Sequence, residues 1–116
     1  MHQKPEQHRI ATHSIGEGLD FACNLLVSGI DREVEKRPAR SQELLSGLTN
    51  YISLRYNGEE LLALEALECV AAGIGDEIEF CRGQYRAQVE WCAKAMGLRR
   101  VDATRFTRDD ERTDQK

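Results

Sequence analysis

The chain has 116 residues, enough for one domain and too few for two independent cores. Hydrophobic residues make up 41% and charged residues 31%, ordinary globular usage that excludes wholesale disorder. Sixteen Lys and Arg against twenty Asp and Glu leave a net charge of -4, which argues against nucleic acid as a partner.

No apolar run approaches the roughly 18 residues of a membrane span. Residues 1–13 are polar and basic and lack the apolar core of a secretory signal, which predicts a cytoplasmic location. In that compartment Cys23, Cys69, Cys81 and Cys92, none of them in a C-x-x-C pair, read as free thiols used as small buried apolar groups.

Residues 1–13 hold all three histidines, His2, His8 and His13, and are expected to form a flexible N-terminal segment. A first helix starts after Ser14, where Ser14-Ile15-Gly16-Glu17 has the form of a capping box. Ile15, Leu19, Cys23, Leu26, Ile30 and Val34 then recur at spacings of three or four, one face of a helix. Gly16, Gly18 and Gly29 lower its intrinsic stability, and Pro38 ends it.

A second helix begins around Ser41, with Leu44, Leu45, Leu48, Tyr51, Ile52 and Tyr56 as its apolar face and a tight turn at Asn57-Gly58. Asn57 is the expected cap of a third helix, along which Leu61, Leu64, Leu67, Ala71 and Ile74 recur, with Gly73 and Gly75 at its end. Asp76-Glu77-Ile78-Glu79 repeats the capping signature and opens a fourth helix. There Ile78, Cys81, Tyr85, Val89, Cys92 and Met96 recur at a mean spacing of about 3.6, and Gly97 is the stop. The short links between helices predict antiparallel neighbours. The fold expected is all-α: an up-and-down bundle of about four helices over residues 14–98, with a flexible charged tail over residues 99–116.

The fourth helix has two apolar faces. Phe80, Ala87, Trp91 and Leu98 lie about 180 to 220° around the axis from the Ile78 side. A two-faced helix either sits at the centre of the bundle or gives one face to another molecule, and Trp is a common interface anchor. A second candidate surface is acidic. Between Tyr56 and Cys81 there is no Lys or Arg but there are seven acids, of which Glu65 and Glu68 stand one turn apart on the third helix. The expected partner-binding residues are therefore Phe80, Ala87, Trp91, Leu98, Glu65 and Glu68.

Catalytic chemistry has little to stand on. Glu65-x-x-Glu68 has the spacing of a di-metal ligand pair, but no predicted helix carries a histidine, and the tail histidines lack structural-zinc spacing. The sequence contains no phosphate loop, nucleophile elbow or dinucleotide fingerprint. The segment from Glu79-Phe80-Cys81 to Gly97-Leu98 resembles the helical active-site segment of carboxymuconolactone-decarboxylase-like peroxidase proteins. That family's redox motif is a C-x-x-C followed by a histidine. Here Gln84 stands three residues after Cys81 and no histidine follows, so the activity is not carried over.

The sequence thus predicts a small, non-enzymatic interaction module of the inhibitor, immunity or accessory-regulator kind, with no metal and no cofactor. Its partner would be another protein or a second copy of the chain. The alternative is a thiol-dependent, peroxidase-like helical enzyme using Cys81 with a spatially adjacent cysteine.

Overall fold

The computed structural model describes residues 9–75 and 82–108. Helix α1 (Ile15–Lys36) begins where its capping signature falls, with the Ser14 hydroxyl accepting from the Glu17 amide at 3.1 Å. It stops before Pro38, and a 3-10 turn over Pro38–Arg40 leads into α2 (Ser41–Tyr56). Helix α3 (Glu60–Ile74) ends at Gly75, whose φ of 42° is a backbone state that side chains disfavour and glycine accepts. Helix α4 is described over Arg82–Ala95. The expected cap at Asp76, and with it Ile78, Phe80 and Cys81, lies outside the described residues.

Three expectations need correction. Asn57 closes α2 rather than capping α3, whose cap position is Glu59 and which has no side-chain cap hydrogen bond. The tail expected from residue 99 onward is, over its first part, a β-hairpin. Gly97, with a φ of 71°, turns the chain out of α4 into β1 (Leu98–Asp102), which pairs antiparallel with β2 (Arg105–Arg108). Residues 9–11, expected to be part of a free N-terminal segment, lie along α4. There the Gln88 amide clasps Ala11, accepting from its N–H at 2.6 Å and donating to its carbonyl at 2.9 Å.

The core explains the arrangement. Helix α3 is the most apolar helix and buries Ala63, Leu64, Ala66, Leu67, Val70 and Ile74, being packed by α1, by α2 and by β2. Helix α4 packs mainly on α1, through Tyr85, Val89, Cys92 and Ala93. Its sequence neighbour α3 touches it only slightly, so the short link does not make α3 and α4 a packed pair. The hairpin bridges the resulting gap. The fold is a helical bundle with a two-stranded appendage.

Polar contacts tie the helix ends together. Buried Glu33 of α1 accepts from Arg37 at 3.0 Å and from Arg40 at 2.9 Å. Arg40 also donates to the Gly73 carbonyl at the end of α3 at 2.6 Å, and pairs with Glu43. The Arg40 hydrogen bond, followed by the charges of Arg37 and Arg40, holds the Glu33 carboxyl below the usual carboxylate range against the opposing effect of burial. A carboxyl lowered in the folded state stabilises above its unfolded value of about 4.3, and that stabilisation is lost as pH falls through the folded value. The wild-type melting temperature should therefore drop on acidification below about pH 4.3 more steeply than that of Glu33→Gln, as followed by circular dichroism.

Candidate functional site

Two surfaces present themselves: a polar cluster in the gap between α3 and α4, and the outward face of α2.

The cluster is built around Glu68. This residue is buried on α3. One carboxylate oxygen accepts from the Tyr85 hydroxyl of α4 at 2.6 Å, and the other accepts from Arg100 of β1 at 2.9 Å. Burial, then the Glu68 charge and hydrogen bond, push the Tyr85 phenol well above its usual range, so it stays a neutral donor. Arg100 also donates to the Ala103 carbonyl at 2.8 Å and lies over the Phe106 ring, 4.7 Å from its centroid. Phe106 in turn donates its backbone N–H to Glu65 at 2.8 Å. Glu65 and Glu68 thus dock the hairpin onto α3. Beside them is a cavity of about 340 Å³, lined by Glu68, Arg82, Tyr85, Arg86, Val89 and Arg100 together with small residues.

The six residues expected at a partner surface have separate fates. Phe80 lies outside the described residues. Leu98 is buried in β1 and Glu68 is buried in the cluster, which leaves neither side chain available to a partner. Glu65 is half-buried beneath the hairpin. Ala87 and Trp91 are also half-buried. The second apolar face of α4 is covered in part within the chain. Trp91 packs against the core and beside Gly18 of α1, and residues 9–11 run along Gln84 and Gln88. On this side of α4, α1 therefore meets Trp91 and residues 9–11 meet Gln84 and Gln88.

The α2 face shows the opposite pattern. Leu44 and Tyr51 are buried as expected, but Leu45, Ile52 and Tyr56 are 54%, 49% and 86% exposed. At helical spacing these three fall within about 20° of one line along the helix, roughly 100° around from the buried line. Only Glu43 and Arg55 of α2 carry charge, and both are engaged inside the chain, with Arg40 and with Asp20 respectively. Tyr51 also donates to Asp20, at 2.7 Å. The outward face of α2 thus carries three exposed apolar side chains, with uncharged polar Gln42 and Thr49 beside them, and no charged side chain of its own. The sequence held the signal: the six residues read as the apolar face of α2 alone span an arc of about 140°, wider than one neighbouring helix covers.

The thiols are set by burial. Burial, then the Asp20 charge, push the Cys23 thiol up to about 11, and burial raises Cys92 as well. Both are poor thiolates near neutral pH. Cys69 is exposed, and Cys81, the thiol of the alternative reading, lies outside the described residues. Among the described residues no group of three or more His, Cys, Asp and Glu side chains is placed to hold a metal ion. None of the described helices is long and apolar enough to cross a membrane. Comparison with protein-family models, with curated proteins and with solved structures gives no match to this chain.

Proposed function

We propose that this protein is a non-enzymatic interaction module of the inhibitor, immunity or accessory-regulator kind, and that it binds its protein partner through the outward face of α2. The observation that carries this reading is the line of Leu45, Ile52 and Tyr56, exposed on a helix whose only two charges are engaged elsewhere. Solvated helix faces are normally covered by charged side chains, and contiguous exposed apolar surface marks contact sites. Tyrosine supplies much contact area with few torsions to freeze, which suits Tyr56 to an anchoring role.

The test compares wild type with Ile52→Glu as baits in the source cell extract. Ile52 is half exposed, so the substitution should change stability by less than about 0.5 kcal/mol. The expected result is a protein retained by wild type and lost with Ile52→Glu, with both baits melting at the same temperature. Sedimentation of the purified bait separates a foreign partner from a second copy. Identical captured proteins in both lanes, together with a monomer in both sedimentation runs, would refute the proposal.

A further inference from the structure

The exposed line on α2 runs from Leu45 through Thr49 and Ile52 to Tyr56, at spacings of four, three and four. That is the spacing of the seam along which two helices pack side by side. At 1.5 Å per residue the line is about 16 Å long. Val27 of α1, also exposed, extends it sideways. Helix α1 runs antiparallel to α2, with Glu33 meeting Arg40 at one end and Asp20 meeting Arg55 at the other. Val27 lies between these two contacts, within about 20° of the Asp20 line, at the level of Leu45 and Leu48.

Charge decides what can cover this line. The chain is 31% charged and has a net charge of -4, so two copies repel unless the faces that meet are neutral. Helix α2 has 16 residues and only two charges, Glu43 and Arg55, both paired within the chain. Its exposed polar residues, Gln42, Ser46, Thr49, Asn50 and Ser53, are all uncharged. A foreign partner is steered and selected by complementary charge, of which α2 offers none on this side. In a two-fold contact one patch meets itself, so any charge near the axis would meet its like. A neutral face with an apolar line is what such a contact requires.

Resting on the α2 reading, we infer that the partner is a second copy of this chain, the two α2 helices packing across a two-fold axis near Thr49 and Ile52. One helix from each copy makes a small interface, below about 1,200 Å² in total, so the dimer forms with a dissociation constant on the order of 10 μM.

Sedimentation of the full chain over about 1 to 200 μM, with two variants at one position, is the test. Wild type should pass from monomer to dimer over that range. Ile52→Glu and Ile52→Lys should each weaken dimerisation at least about a hundredfold, because like charges then face each other beside the axis. Circular dichroism checks that both variants stay folded. Mixing the two variants should restore a dimer to within about tenfold of the wild-type affinity, a rescue that only contact between copies produces. A wild type that stays monomeric at the top of the range, a dimer unchanged by either variant, or no association in the mixture would each overturn the inference. A monomer that still captures a foreign protein through Ile52 overturns self-association alone. A monomer with no capture that depends on Ile52 overturns the α2 reading as well.

Discussion

Glu68→Ala should lower the unfolding free energy by about 3 kcal/mol, because it leaves the phenol of Tyr85 and the guanidinium of Arg100 without their shared buried acceptor. The cost is not spread evenly over the molecule. Arg100 is, with Leu98, an inward-facing residue of β1, and Phe106, paired with it across the hairpin, is held by Arg100 stacking and by Glu65. With Glu68 gone, one of the two carboxylates that dock the hairpin is lost. Urea denaturation reads the global loss, and amide hydrogen exchange over residues 98–108 should rise before exchange in α3. Glu68→Gln keeps an acceptor for Tyr85 but loses the charge facing Arg100, and should cost about half as much. A Glu68→Ala midpoint shifted no further than that of exposed Glu90→Ala would contradict the hub role.

Gly18→Val is expected to be of similar size, at about 3 kcal/mol, through overpacking rather than a lost contact. A Cβ at Gly18 would stand 2.8 Å from the Gln88 amide nitrogen, 2.9 Å from the Cys92 sulfur and 3.1 Å from the Trp91 ring. These atoms belong to the α1–α4 contact, where Cys92 and Gln88 are fully buried and cannot swing away. The added branch must push α4 off α1, and the melting temperature should fall by about 15 °C. Gly16 is the control. A Cβ there meets only the guanidinium end of Arg55, which can move, so Gly16→Ala should be neutral or stabilising by up to about 1 kcal/mol.

The helices were legible because their signals agree at several levels. Ser14 caps α1, Pro38 follows its end, and Leu19, Leu26 and Ile30 fall at helical spacing and are buried. The hairpin was not legible, because its inward positions are Leu98, Arg100 and Phe106. An arginine that packs its stem and stacks its head on an aromatic ring reads in sequence as a solvent residue. The roles of Glu65 and Glu68 are hidden for the same reason: both hold the hairpin, and without it their spacing reads as an acidic surface. The second apolar face of α4 is plain in the spacing of its residues, but the packing of α1 and residues 9–11 at Trp91 and Gln88 depends on a chain path that periodicity does not encode. On α2 the excess of apolar positions was visible, while the choice of which line faces α3 is made by tertiary packing alone.

The claim that the α2 face is the partner surface is tested most directly by site-specific photo-crosslinking in the source cell, with a benzophenone amino acid placed at position 52 or at position 87. The account predicts a cross-linked adduct from position 52 and none from position 87, since Ala87 is half-buried on α4 whereas Ile52 is exposed. An adduct from position 87 with none from position 52 would contradict it and return the contact to α4.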